Sequence, residues 1–215
     1  MKGLLFKGWL DLKYRFWMFF IVDIIFGVGS SMMLKNGNFL DLRWIGFYLG
    51  IFLSSIPLRN MLFDEKAKWN LYQLVLPVHK KDILCMQYFI GIGSLVLACI
   101  GYGIGFEAGS LIAGEIVWND LNAIGLVIQQ IFFLATILMV IEFPMIFFLG
   151  QKRGRKFIVI LNGCVAGIFI VAVLNGYTLL PYDLPYRKWI MAGFLIIAWI
   201  LSYKISFQLF HLGRD

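Results

Sequence analysis

The chain has 215 residues, of which 61% are hydrophobic and only 14% are charged. A soluble domain usually has about half apolar and about a quarter charged residues. The composition therefore excludes a disordered chain, a coiled coil or a soluble globule, and it indicates an integral membrane protein.

Cys85, Cys99 and Cys164 lie in or beside apolar runs without metal-ligand spacing, so neither a disulfide framework nor a zinc site is expected. The net charge of +7 is compatible with nucleic-acid binding, but the placement of the charges indicates lipid and topology instead, and no nucleic-acid partner is expected.

Six segments are long and apolar enough to cross a bilayer as helices, which takes about 20 residues. They are 17–34, 44–62, 83–106, 121–149, 157–178 and 189–210. Their apolar runs are continuous rather than alternating, which favours helices over a barrel. We therefore predict an all-α membrane protein with six transmembrane helices, in which residues 1–215 form a single transmembrane domain. Pro144 predicts a tilt or kink near the end of the long fourth segment.

The basic residues are distributed unequally between the two sides of the predicted membrane domain. One side has fifteen: Lys2, Lys7, Lys13, Arg15, Arg59, Lys66, Lys68, Lys80, Lys81, Lys152, Arg153, Arg155, Lys156, Lys204 and Arg214. The other side has four: Lys35, Arg43, Arg187 and Lys188. By the positive-inside rule, we predict a multi-pass plasma-membrane protein whose two termini are both cytoplasmic.

Residues 1–16 precede the first predicted span. In a helix, Leu5, Trp9, Leu12 and Phe16 share one face, and Lys7, Asp11 and Arg15 share another. This pattern suits a helix lying in the membrane interface; the alternative is a basic flank that only sets topology. The early lysines and the following apolar run resemble a signal peptide. The basic region is long and aromatic, however, and Asp23 interrupts the apolar stretch, so we expect a retained anchor.

The loop 63–82 contains a predicted short helix over 64–76. Asp64 and Glu65 suit a helix N-terminus, and Pro77 ends the helix. Trp69, Tyr72 and Leu76 lie on one face of it. An apolar face on a loop that meets water indicates a partner, either lipid headgroups or another protein. The alternative is packing on the ends of the chain's own helices.

Two stretches carry a resemblance to a known family. The first comprises Asp64-Glu65-Lys66, Trp69, Tyr72, Leu76-Pro77-Val78 and Lys81-Asp82-Ile83. The second comprises Phe143-Pro144, Gly150, Arg153, Gly154 and Arg155. With the six-span layout and the basic N-terminus, they make the chain resemble the permease subunit of ABC exporters of the type-two fold. The resemblance extends to a small bacterial subgroup that includes permeases for amphipathic peptides such as phenol-soluble modulins.

The resemblance implies a mechanism and partners. The chain would be a permease that pairs with a second copy, and two permeases would assemble with two separate ATPase subunits. The helix 64–76 would be the coupling helix that docks in the ATPase, through Asp64, Glu65, Lys66, Trp69, Tyr72, Leu76 and Pro77. ATP and magnesium would bind in that partner, and this chain would bind no cofactor and catalyse no reaction. In agreement, the sequence has no G-x-x-x-x-G-K-[ST] motif for nucleotide phosphates.

Glycines recur every fourth residue in two stretches, one running from the third predicted span to just beyond its end and one within the fifth span. Gly101, Gly105 and Gly109 form one series, and Gly163 and Gly167 form another. Small residues at this spacing let two helices approach closely in lipid. The series are candidate packing surfaces, either within one chain or between subunits.

Asp23, Glu142 and Glu107 lie in or at the edge of predicted spans. Ionisable groups in a membrane are unfavourable and usually face a cavity or a partner. Asp23 and Glu142 are therefore candidates for the translocation path. The alternative is a structural role, with Arg59 or Arg155 pairing with Glu142; Asp23 has no such neighbour in sequence.

Three classes of function compete. The first is the permease of an ATP-driven exporter for amphipathic or hydrophobic peptides. The second is an ion-coupled carrier or channel that uses Asp23 and Glu142, although no internal repeat or paired discontinuous helices are evident. The third is an intramembrane enzyme, which the absence of G-x-S-x-G and H-E-x-x-H motifs disfavours.

Overall fold

A computed structural model of the chain describes residues 17, 19–32, 44–56, 80–112, 121–174 and 187–212, and all of these residues are helical. Helix α1 is Phe19–Met32 and α2 is Trp44–Ile56. Helix α3 is Lys80–Ile112. A longer helical stretch, Leu121–Leu174, and a last helix, Arg187–Leu212, follow. The predicted all-α class holds throughout the described part of the chain.

The stretch Leu121–Leu174 is two helices joined at Gly150. Gly150 has φ 74° and ψ 163°, outside the helical region, and divides the stretch into α4 (121–149) and α5 (151–174). The last helix, Arg187–Leu212, is α6. Two residues on opposite sides of the break, Glu142 and Asn162, form a hydrogen bond. In an unbroken helix they would lie about 30 Å apart at 1.5 Å per residue, so the chain reverses direction at Gly150. The described residues thus contain six helices.

Four helical segments in the described ranges are long and apolar enough to cross a membrane. They are Lys81–Ile112, Val127–Gly150, Arg153–Val171 and Ala192–Leu209. The apolar helices Phe19–Met32 and Trp44–Ile56 are shorter than this criterion. The described part of the chain therefore has the helices of a membrane protein, with four segments of spanning length.

The structure corrects two details of the sequence prediction. Helix α3 continues to Ile112 rather than ending at 106, so Glu107 and Gly109 lie in the helix and not in a loop. The segment 150–156 was predicted to be a connection, but α5 begins directly after Gly150. Lysine and arginine are good helix formers, so the cluster of bases does not end the helix. The non-helical residue is Gly150, because glycine readily adopts this positive φ. Pro144 lies inside α4, and the tilt or kink predicted there stays a prediction.

The chain divides into two compact units, one up to Thr136 and one from Ile137 onward. In the first unit, large side chains such as Leu49, Leu53, Leu95, Tyr102 and Phe106 are at most 1% exposed. In the second unit, the buried Phe143 and the half-buried Trp199 meet ring edge to face at 6.2 Å, and the Ser202 hydroxyl donates to the Val140 carbonyl at 2.8 Å. Each unit has an apolar interior formed by side chains that its helices share.

Several predicted features lie outside the described residues. These are the interfacial helix 1–16, the coupling helix 64–76 and the connections 35–43 and 179–188. They stay predictions.

Candidate functional site in the helix seams

Glycines bring α1 and α3 into backbone contact. A Cβ added at Gly101 would lie 2.9 Å from a ring carbon of Phe20, and one at Gly109 would lie 2.9 Å from the Cα of Val28. At Gly105 it would meet the backbone of Ile24, 2.7 Å from its Cα. Such distances leave no room for any side chain. We call this contact the α1–α3 seam.

The α1–α3 seam also uses a glycine on its other side. A Cβ added at Gly27 would lie 2.7 Å from the backbone nitrogen of Phe106. The contacts advance together along both helices, from Phe20 with Gly101 to Val28 with Gly109. The two helices are therefore parallel. When successive helices cross a membrane in alternating directions, the first and third helices run in the same direction. The parallel packing of α1 and α3 agrees with this arrangement.

A second glycine pair brings α2 and α4 together. A Cβ added at Gly46 would lie 3.2 Å from a methyl carbon of Val127, and one at Gly50 would lie 3.1 Å from the Cβ of Leu134. These contacts also advance together, so α2 and α4 are parallel as well. The buried hydroxyl of Ser54 on α2 donates to the Ile51 carbonyl at 2.8 Å, which satisfies the donor within its own helix.

Asp23 is buried in the α1–α3 seam. Its side chain is 1% exposed, and its Cβ lies 3.4 Å from the position that a Cβ of Gly101 would take. Within the described residues, Asp23 Oδ1 is a buried atom without a hydrogen-bond partner. The thiol of Cys99 on α3 is close enough to interact electrostatically with the Asp23 carboxylate. The seam therefore holds an ionisable group that lies against Gly101 and within reach of the Cys99 thiol on α3.

Other polar groups of the α1–α3 seam differ in how they are satisfied. The Ser30 hydroxyl donates to the Phe26 carbonyl at 2.6 Å, and that of Ser31 donates to the Val28 carbonyl at 2.8 Å. Both bonds stay within α1. The hydroxyl of Tyr102, a fully buried residue on α3, lies close enough to the Ser30 hydroxyl to interact with it, but the two do not form a hydrogen bond of normal geometry, and no other described residue bonds to it. Asp23 and Tyr102 thus supply two unsatisfied oxygens on the facing helices.

Glu142 lies in a different polar contact, between α4 and α5. It is 3% exposed, and its Oε1 accepts a hydrogen bond from Asn162 Nδ2 at 3.2 Å. This amide is the partner that the structure gives for Glu142, in place of the Arg155 proposed from the sequence; Arg155 is exposed, and Arg59 lies outside the described residues. Glu142 therefore has a hydrogen-bonded position inside the hairpin.

The remaining candidate residues fall into two groups. Gly163 and Gly167 on α5 are exposed, and no described atom would lie within 4 Å of a Cβ added there. The predicted ATPase-docking residues of 64–76 lie outside the described ranges.

Among the described residues, no group of three or more His, Cys, Asp or Glu side chains is arranged to hold a metal ion.

Sequence reasoning missed five residues that shape these contacts. Gly46 and Gly50 have the same four-residue spacing as the α3 glycines, so their pairing with α4 had a readable signal. Gly27 and Ser31 are likewise small residues four apart. Asn162 is a polar residue in an apolar helix, which usually marks a hydrogen bond between helices, but the sequence does not show which residue of a neighbouring helix is its partner.

A comparison with protein-family models gives one match, to the ABC-2 family transporter proteins, over residues 3–211. Neither the curated proteins nor the solved structures gave a match to this chain. Because the family match covers nearly the whole chain, the protein belongs to the ABC-2 family of transporters.

Membership in this family agrees with the apolar helices described above. The chain is a permease component of an ABC transporter and a multi-pass protein of the plasma membrane. Permeases of this family are generally transport subunits without catalytic activity. The family also implies an ABC ATPase as partner.

Proposed function

We propose that this chain is the permease subunit of an exporter for amphipathic or hydrophobic peptides, coupled through residues 64–76 to a separate ATPase. The observation that carries the coupling is the apolar face of Trp69, Tyr72 and Leu76 on a loop otherwise suited to water. Membership in the ABC-2 family supports it, because a permease of that class takes its energy from an ATPase partner. The peptide cargo rests on the resemblance to the bacterial subgroup alone.

The proposed mechanism assigns a task to each part. ATP and magnesium bind in the partner, whose closure moves the coupling helix 64–76. Asp64 and Glu65 begin that helix and Pro77 ends it, while Lys66 lies on its polar surface. The movement opens a path among the helices, along which Asp23 and Glu142 are the candidate polar points. The active assembly contains two copies of the permease and two ATPases.

The proposed orientation has both termini and the loop 63–82 in the cytoplasm. The excess of lysine and arginine on that side supports it. The parallel packing of α1 with α3 and of α2 with α4 supports alternate crossing of the membrane. The amphipathic segment 1–16 then lies at the cytoplasmic face, where its bases meet anionic headgroups.

The second candidate is an ion-coupled carrier that uses Asp23 and Glu142. The burial of Asp23 in an apolar seam is the observation that favours it. Transport by the purified permease alone, driven by a proton or sodium gradient, would support this candidate and contradict the ATPase-coupled one.

The test of the proposed function removes the apolar face of the coupling helix. Buried aromatic anchors commonly dominate an interface, and truncating one weakens binding by on the order of 2 kcal/mol or more. We expect the double variant Trp69→Ala/Tyr72→Ala to insert and purify normally but to lose the co-purifying ATPase, or to retain it with hydrolysis that no longer responds to cargo. The measurement is recovery of the ATPase in a pull-down at equal expression, with hydrolysis assayed on the recovered complex.

The control is the double variant Lys66→Ala/Lys68→Ala in the same loop. It alters an equal number of side chains, but exposed ion pairs contribute little and are screened by salt, so recovery of the ATPase should change much less. Unchanged recovery and unchanged cargo-stimulated hydrolysis in the Trp69/Tyr72 variant would remove this loop from the mechanism.

A further inference from the structure

Asp23 is a buried acid in a region of the chain without bases. Segments 19–32, 44–56, 82–112 and 121–149, which contain α1, α2, nearly all of α3 and α4, have no lysine or arginine. Within the described residues, Asp23 Oδ1 has no hydrogen-bond partner. The surface opposite Asp23 includes Gly101, which has no side chain to offer. A positive charge that pairs with Asp23 must therefore come from outside these four helices.

An acid in this position makes the closed seam less stable than an apolar residue would. A buried polar atom without a partner is unfavourable, and ionisable groups in membranes normally face a cavity or a partner. The glycine contacts close the α1–α3 seam so tightly that no ligand reaches Asp23 in this state. The group that satisfies Asp23 can enter only when α1 and α3 separate.

We propose that Asp23 binds an ammonium or guanidinium group of the transported molecule when α1 separates from α3. The proposal deepens the proposed function and depends on it, since it concerns the cargo of that exporter. Asp23 supplies the charge, and the hydroxyl of Tyr102 is a further hydrogen-bond acceptor on the same seam. The cargo is thereby defined as one that carries a positive charge on an otherwise apolar or amphipathic body.

The chemistry of the seam favours an organic cation over a metal ion. Calcium takes six to eight oxygen ligands and magnesium about six. The described residues offer no cluster of acids, histidines or cysteines around Asp23 that could complete such a shell. An ammonium group has only three N–H donors and is satisfied by far fewer acceptors, one of them charged.

The test compares two peptide probes on the permease reconstituted with its ATPase in liposomes. One is an amphipathic helical peptide with lysines on its polar face, and the other has glutamine at each lysine. We measure the peptide concentration that gives half-maximal stimulation of ATP hydrolysis. A close charge pair in a desolvated site changes affinity by about tenfold or more. We therefore expect the wild-type complex to respond to the lysine peptide at about tenfold lower concentration.

Three variants assign that preference to a residue. Asp23→Asn should respond to both peptides at similar concentrations, and Asp23→Glu should keep part of the preference for lysine. Glu107→Gln is the control, because Glu107 is an exposed acid on α3 whose loss removes the same charge away from the seam; it should keep the full preference. Equal response of the wild type to both peptides, or a preference that survives in Asp23→Asn, would overturn the inference and leave the peptide exporter standing. Failure of both peptides to stimulate hydrolysis would overturn the proposed cargo class together with the inference.

A second measurement tests the separation of the helices without any change at Asp23. Cys99 lies beside Asp23 and is half-buried, whereas Cys164 on α5 is exposed. We compare proteins that retain one of these cysteines, using a water-soluble maleimide with and without ATP and the lysine peptide. Labelling of Cys99 should rise several-fold during turnover while labelling of Cys164 stays constant. No rise at Cys99 would contradict the opening of the seam even if all Asp23 variants failed to fold.

Discussion

Asn162 Nδ2 lies 3.2 Å from Glu142 Oε1, although the two residues are twenty positions apart in the sequence. The contact joins α4 to α5 across the hairpin that Gly150 forms. Hydrogen bonds between membrane helices contribute about 1–2 kcal/mol at most. We expect Asn162→Leu to lower the free energy of unfolding of the purified protein by up to this amount, because Glu142 loses a donor in a buried position. The loss should appear as a lower melting temperature.

The control for this prediction is Cys164→Ala, two residues further along α5. Cys164 is exposed, so its variant should melt within experimental error of the wild type. An Asn162→Leu protein that is as stable as Cys164→Ala would show that the amide contact contributes nothing to the hairpin.

Gly150 forms the turn of that hairpin with φ 74° and ψ 163°. This part of backbone space is essentially restricted to glycine, and other residues there cost on the order of 1–3 kcal/mol. An added Cβ would meet no atom within 4 Å among the described residues, so the effect of Gly150→Ala is expected to come from the backbone alone. We predict a lower unfolding temperature for Gly150→Ala, measured in detergent. Gly163→Ala is the control, since Gly163 lies in regular helix with open space around it, and alanine is favourable there.

Gly105 and Gly103 form a matched pair on α3. A Cβ at Gly105 would meet the Ile24 backbone, 2.7 Å from its Cα, whereas a Cβ at Gly103 would meet nothing within 4 Å. Forcing extra atoms into a packed contact usually costs about 1–3 kcal/mol. Gly105→Ala should therefore reduce the yield and melting temperature of the purified protein, and Gly103→Ala should not. Equal behaviour of the two variants would contradict the α1–α3 seam as described.

The topology can be measured with single cysteines in a background without the native ones. By the distribution of basic residues, cysteines at Gly37 and Asn119 should react with an impermeant thiol reagent added to intact cells, and one at Gln151 should not. Permeabilised cells provide the control that each site is reactive. Labelling at position 151 in intact cells would reverse the predicted orientation.

The sequence predicted the existence of the helices better than the contacts between them. Continuous apolar runs require helices in lipid, and this reasoning located all six helices in the described ranges. The end of α3 was missed because the predicted third span ended at 106, directly before Glu107. The helix continues to Ile112, and Gly109 within this extension packs against Val28 of α1. The connection predicted at 150–156 was too long, because α5 begins directly after Gly150 and includes the bases that follow it.

The partners of the polar residues could not be predicted for a physical reason. An acidic residue within an apolar segment indicates that its carboxylate needs a partner. The identity of that partner depends on which helices pack together, which the sequence does not give. Glu142 accepts a hydrogen bond from Asn162, a residue without charge, so a search for bases alone could not find this partner. For Asp23, the sequence already showed that no base lies nearby along the chain. The structure adds that Gly101 of α3 packs against Asp23.

The single-residue turn at Gly150 has a consequence for how the protein is made. Because a single residue joins α4 and α5, one of these helices is not expected to enter the bilayer while the other remains in water. We expect them to leave the insertion machinery as one unit, with Glu142 and Asn162 already hydrogen-bonded to each other. The polar groups of both helices are then shielded from the lipid tails before α6 has been synthesised, so the stretch 121–174 carries its own means of entering the membrane.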